Sequence, residues 1–108
     1  MTAIVEQAIK TLIEAAPPGA SVIVFGSHAR GNAGEQSDVD FLVVEPELPT
    51  GRRAEMVRLR QVLRPLRIPA DVLVVSRRVF EEWKNTPNTV IFEAARQGKV
   101  YDGTAGST

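Results

Sequence analysis

Apolar residues recur at helical spacing near the start of the chain, at Ile4, Val5, Ala8, Ile9, Leu12, Ile13 and Ala16. This predicts an amphipathic first helix, with Thr2 placed to cap it and Pro17-Pro18-Gly19 ending it. Two short apolar runs follow, Ser21 to Phe25 and Phe41 to Val44, the first stopped by Gly26 and the second by Pro46 and Pro49. Both read as buried strands. Helical spacing returns from about Arg52 to Leu66, with Met56, Leu59, Leu63 and Leu66 on one face. Asp71-Val72-Leu73-Val74-Val75 predicts a third strand, and Ser76 a cap for a short helix bearing Phe80 and Trp83. Thr86-Pro87 opens a further helix that closes at Gly98, and Lys99 to Tyr101 forms a last edge strand. Phe80, Trp83 and Phe92 fall at helical spacing and are expected in the core, with Tyr101 at the core or the edge. The expected organisation is one domain over residues 1–103 and a small polar, disordered tail over 104–108.

The order of elements constrains which residues meet. A helix between the second and third strands favours a parallel pair with a right-handed crossover, which puts their starting ends together. Asp38 and Asp40 then come near Asp71. The first strand reverses through a loop, so an antiparallel arrangement brings its end, Gly26-Ser27, to the same rim. The predicted class is α/β (α+β): a small mixed sheet of three to four strands with helices packed against it.

Composition narrows the chemistry. At 108 residues with 44% apolar and 24% charged residues, the chain is one ordinary globular domain. No apolar run approaches the ~20 residues of a membrane span, and the N-terminus lacks a signal-peptide layout, so a cytoplasmic location and no membrane partner are expected. Without cysteine and with a single histidine, any metal would sit among oxygens, which suits magnesium or manganese. Thirteen basic and thirteen acidic residues cancel, so overall charge does not recommend direct nucleic-acid binding. Six arginines (52, 53, 58, 60, 64 and 67) nevertheless cluster against the single acid Glu55. The plainer reading is the solvated face of a helix; the alternative is a docking surface for phosphate, RNA or an acidic protein.

Asp38 and Asp40 stand two apart at a strand start, so they share a side while Val39 faces away. Two close carboxylates repel unless a cation sits between them, and with Asp71 they suit one or two magnesium ions that also grip substrate phosphates. Gly26 lets backbone amides approach an anion, and Ser27 offers a hydroxyl to a phosphate oxygen. Arg30 is placed to pair with phosphate or with an acid of the site, while His28 lacks an orienting partner and reads as an exposed or capping residue.

These residues carry a family resemblance. Gly26-Ser27, ten intervening residues and Asp38-Val39-Asp40 form a pattern that resembles the minimal nucleotidyltransferases of the DNA polymerase beta-like superfamily. The flanking Phe25-Gly26-Ser27-His28-Ala29-Arg30-Gly31 and Ser37-Asp38-Val39-Asp40-Phe41-Leu42-Val43-Val44 extend it, and Asp71-Val72-Leu73-Val74-Val75 resembles the strand of the third carboxylate. The resemblance implies the nucleotidyltransferase fold. It implies Asp38, Asp40 and Asp71 as catalytic metal ligands for Mg2+ or Mn2+, with Asp71 helping to activate the attacking hydroxyl. Gly26 and Ser27, with Arg30, would bind the nucleoside triphosphate, ATP. The reaction implied is attack on the alpha-phosphate with transfer of AMP and release of pyrophosphate.

Family members of this size lack an acceptor-binding helical domain and are often encoded beside a helical HEPN-type partner. In such pairs, which resemble toxin–antitoxin systems, some transfer AMP to a tyrosine of the toxin. An active transferase modifying a partner protein is therefore the first expectation. A nucleotide-binding antitoxin that acts by occlusion, and a catalytic subunit that modifies a small molecule, are the alternatives. The arginine face and apolar surface serve self-association into a homo-oligomer as readily as a foreign partner.

Overall fold

The computed structural model describes residues 3–26 and 38–102. Thr2, Ser27, His28, Arg30 and the tail over 104–108, on all of which expectations were placed, lie outside the described residues. Among the described residues the chain runs α1 (Ala3–Ala15), β1 (Ser21–Phe25), β2 (Val39–Glu45), α2 (Arg52–Leu63), β3 (Ala70–Ser76), α3 (Arg77–Trp83), α4 (Val90–Gln97) and β4 (Lys99–Asp102). A 3-10 turn over Arg64–Leu66 ends α2, because Pro65 has no N–H to continue the helical ladder.

The four strands form one mixed sheet in the order β3-β2-β1-β4. β1 is antiparallel to both β2 and β4, and β2 is parallel to β3, the arrangement expected from a helix joining them. Strand alternation splits the core in two. Val22 and Val24 of β1, Val39, Phe41 and Val43 of β2, and Val72 and Val74 of β3 pack with Val5, Ala8, Ile9 and Leu12 of α1 and with Leu59 and Leu63 of α2. On the opposite face Ile23, Phe25, Leu42, Val44 and Val75 pack with Ala94 of α4, flanked by Val79, Phe80 and Ile91. Both faces of β1 and β2 are covered, which is why their sequences read as continuous apolar runs. No helix among the described residues is long and apolar enough to cross a membrane.

Three expectations are corrected. The last helix begins at Val90 rather than at Thr86-Pro87, because Asn88 turns left-handed (φ 68°) and Thr89 takes the cap, its hydroxyl accepting from Phe92 N–H at 3.1 Å. Trp83 is 45% exposed at the end of α3, outside the core. Phe92 is only partly buried, with the Arg96 guanidinium over its ring at 5.3 Å. Ser76 does cap α3, its hydroxyl accepting from Val79 N–H at 3.2 Å.

Candidate active site

The site assembles at the end of the sheet where β2 and β3 begin and β1 ends. Phe25, the last residue of β1, is the cross-strand partner of Asp40. The chain then turns through Gly26 at φ 76°, a conformation costly for any residue with a side chain. A Cβ at this position would collide with the Asp40 carboxylate, so the Gly26 backbone lies directly against that group.

Asp40 is also the register partner of Asp71 on β3. Neighbouring strands lie about 5 Å apart, so the two carboxylates spring from adjacent backbone positions. Asp40 alternates with Leu42 and Val44, on the face opposite Val39, as the two-residue spacing predicts. Asp38 is exposed and immediately precedes β2. The Val39 N–H donates to the Pro69 carbonyl at 3.0 Å, which fixes the starts of the two parallel strands to each other. The structure thus brings together Gly26, Asp40 and Asp71, with Asp38 two residues upstream of Asp40.

Sequence reasoning missed the partner of Asp71. Arg60, on α2, reaches around the β3 edge and donates from Nη2 to Asp71 Oδ1 at 3.2 Å and to the Val72 carbonyl at 3.3 Å. The pair is about half exposed, so it is worth less than about 1 kcal/mol of stability and serves to orient the carboxylate. The nearby signal was the arginine cluster, but helical spacing alone does not say which arginine meets which strand.

Among the described residues no three of His, Cys, Asp and Glu gather as a metal-holding group. The donor chemistry nonetheless fits a hard cation. Magnesium is commonly held by one or two carboxylates and completes its shell with water and substrate phosphates. Asp40 and Asp71 in adjacent register supply such a pair, and the Gly26 backbone lies against the Asp40 carboxylate.

A second acid cluster was also missed. Glu45, at the far end of β2, is 2% exposed and interacts with Glu55 of α2. Arg58 holds Glu55 in a bidentate pair, with both contacts at 2.7 Å, and donates to the Ala15 carbonyl at 2.9 Å. Burial first, then the neighbouring Glu55, raises the Glu45 pKa to about 8. The Arg58 hydrogen bonds hold Glu55 down at about 2. The i,i+3 spacing of Glu55 and Arg58 was visible in the sequence; that Glu45 continues a buried strand was not.

Similarities to known proteins bear on this geometry. Two proteins of Methanocaldococcus jannaschii, named "Putative protein adenylyltransferase MJ1305" and "Putative protein adenylyltransferase MJ0141", are 49% identical over 43 residues and 47% identical over 36 residues. Those segments cover 40% and 33% of this chain, and only 29% and 36% of the relatives' own lengths. A crystal structure of a toxin-antitoxin with AMP-PNP matches with a TM-score of 0.62 at 18% identity, over 94% of this chain and 76% of that one. A putative nucleotidyltransferase from Sulfolobus solfataricus matches with a TM-score of 0.59 at 18% identity, over 91% and 76%. At that identity the two structures show a shared fold. The family model described as "Nucleotidyltransferase domain" matches residues 5–96, which take in both core faces and all of Gly26, Asp38, Asp40 and Asp71. On that match the chain belongs to the nucleotidyltransferase domain family.

Proposed function

We propose that this domain transfers AMP from ATP to a hydroxyl group of a partner protein. The observation that carries the proposal is the meeting of Gly26, Asp40 and Asp71 at one rim of the sheet. Gly26 would offer the triphosphate its backbone N–H beside the Asp40 carboxylate, and Ser27 and Arg30 would add a hydroxyl and a guanidinium to its phosphates. Asp40 and Asp71, joined by Asp38, would hold Mg2+ or Mn2+. Bound there, the ion supplies charge neutralisation at the alpha-phosphate and at the departing pyrophosphate.

Asp71 lies on the edge strand and is exposed, so an acceptor hydroxyl can approach it from outside the sheet. It takes the proton as the hydroxyl oxygen bonds to the alpha-phosphorus. The bond to the bridging oxygen breaks, and pyrophosphate leaves with that electron pair. Arg60 fixes the Asp71 carboxylate during the approach, so the protein's contribution is chiefly position.

The relatives' names as protein adenylyltransferases support a protein acceptor, and the toxin-antitoxin neighbour with AMP-PNP supports a partner and adenosine. A small helical HEPN-type protein is the partner we propose. The test incubates the chain with magnesium, alpha-labelled ATP and the product of the adjacent gene, beside Asp40→Asn and Asp71→Asn. Label on the partner with the unaltered chain alone is the expected result. A tight complex that takes no label from any nucleoside triphosphate would overturn transfer in favour of inhibition by occlusion.

A further inference from the structure

We infer that the basic groove on α2 beside Asp71 receives an acidic segment of the acceptor protein, with an aliphatic side chain of that segment seated on Met56 and Val57. The inference rests on the transfer reading above and assigns the chemistry of its second substrate.

The groove is a concavity of about 490 Å³ lined by Arg52, Arg53, Met56, Val57 and Arg60. All five lie on α2, and at its Arg60 end the groove meets the Asp71 carboxylate of the edge strand β3. Two of its guanidinium groups are anchored on the strand's outward carbonyls. Arg52 donates from Nε to the Val74 carbonyl at 2.9 Å, and Arg60 from Nη2 to the Val72 carbonyl. Each bond uses a fraction of the five N–H donors of a guanidinium. The Arg52 Nη groups and the Arg60 Nε and Nη1 remain directed by a held side chain, so an incoming carboxylate meets donors that have already lost much of their rotamer freedom. Arg53 is exposed and makes no ion pair among the described residues.

Among these charges the groove keeps an apolar floor: Val57 is 49% exposed and Met56 is half-buried. Aliphatic surface framed by arginines suits a peptide that alternates acidic and aliphatic residues. It suits nucleic acid less well, because no aromatic ring lines the groove for a base to stack on and the chain as a whole is neutral.

The probe is a fluorescein-labelled peptide of acidic and leucine residues around one tyrosine, compared with its amide counterpart (Gln for Glu, Asn for Asp) and with oligouridylate. Fluorescence anisotropy is read at low and at physiological salt. The acidic peptide is expected to bind about tenfold more tightly than the amide peptide at low salt, with the preference shrinking as salt rises. Arg53→Glu and Val57→Glu each reduce its affinity severalfold while thermal unfolding is unchanged. Arg78→Glu, the same charge change on α3, leaves affinity as it was. Equal binding of the acidic and amide peptides, or tighter binding of oligouridylate that Arg53→Glu abolishes, overturns the inference.

Transfer from alpha-labelled ATP is scored in parallel on the peptide tyrosine and on the partner protein. Label on both peptides alike, without acidic preference, removes the groove and leaves the transfer reading standing. Acidic preference with no label on any acceptor removes the transfer reading, and with it the assignment of the segment as an acceptor.

Discussion

Glu45 makes the folded state proton-hungry, and Glu45→Gln isolates the effect. The carboxyl is buried between β2 and α2, next to Glu55, and its Oε2 has no hydrogen-bond partner among the described residues. The charged groups about it are Glu55 and Arg58 of α2, with Glu47 on the wall of the same cleft of about 400 Å³. Folding raises its pKa from 4.5 to about 8, so between those values the native chain keeps a proton that the unfolded chain releases. Stability contributed by this group is full below pH 4.5 and falls as pH rises toward 8. Glu55 runs the other way: its contribution is present above pH 4.5 and lost as pH falls toward 2. Between pH 5 and 8 the Glu55 carboxylate is therefore charged in both states, and of this pair only Glu45 contributes to the slope.

At about 1.4 kcal/mol per pH unit, the span from 4.5 to about 8 gives an upper bound of about 5 kcal/mol. Against a domain stability of about 5–15 kcal/mol, even half of that is easily measured. Glutamine keeps an N–H to donate to Glu55 and carries no titrating proton. Urea unfolding of both proteins at pH 5, 6, 7 and 8 is expected to show Glu45→Gln close to the unaltered chain at pH 5 and progressively more stable above it. A difference that stays flat from pH 5 to 8 would refute the protonated-Glu45 argument.

Other substitutions test the remaining joints. Gly26→Ala places a Cβ against the Asp40 carboxylate at a left-handed φ; it should cost about 1–3 kcal/mol in urea unfolding and weaken ATP binding by equilibrium dialysis. Gly98→Ala drives a methyl group into Ile23 and the Ala94 and Val24 carbonyls where α4 meets β1. It should destabilise by about 2 kcal/mol or more in the same assay. Ser76→Ala removes the cap of α3, and a fall of about 1 kcal/mol is expected, with Ser76→Asp restoring most of it.

How much of this was legible in the sequence depended on which force placed each residue. Parallel pairing of β2 with β3 follows from connection length and the burial of both strand faces, and it carried Asp40 to Asp71. Gly26 was legible as the residue that ends β1 in a conformation open to glycine, and the group its backbone lies against is the Asp40 carboxylate. The unread parts depend on contacts between distant segments. Glu45 follows the apolar run Phe41–Val44 and precedes Pro46, so the local pattern left it outside the strand; the Glu55–Arg58 pair on α2 makes its burial tolerable. Arg60 looked like any arginine on a solvated face until β3 was laid beneath it as an edge strand. Trp83 followed helical spacing, but α3 ends beside it before a further turn can cover the ring.

The two acid pairs to which β2 contributes, one at each end of the strand, sit in opposite environments. Glu45 and Glu55 are largely buried, so the pair lowers its charge by keeping one proton and holds the remaining carboxylate on Arg58. No cation is needed there, and the cost of admitting one would include displacing a bidentate guanidinium. Asp40 and Asp71 sit at the opposite end, where β1 turns away at Gly26 and β3 is an edge, and Asp71 is open to solvent. Arg60 touches a single oxygen of Asp71 from a half-exposed position, an interaction weak enough to coexist with or yield to a cation. Replacing Arg60 by glutamine should therefore leave unfolding within about 1 kcal/mol of the unaltered chain. Its effect should fall on catalysis, as a lower kcat at a little-changed KM for ATP. A substitution that instead unfolded the domain would show that Arg60 secures the β3 edge first and Asp71 only incidentally.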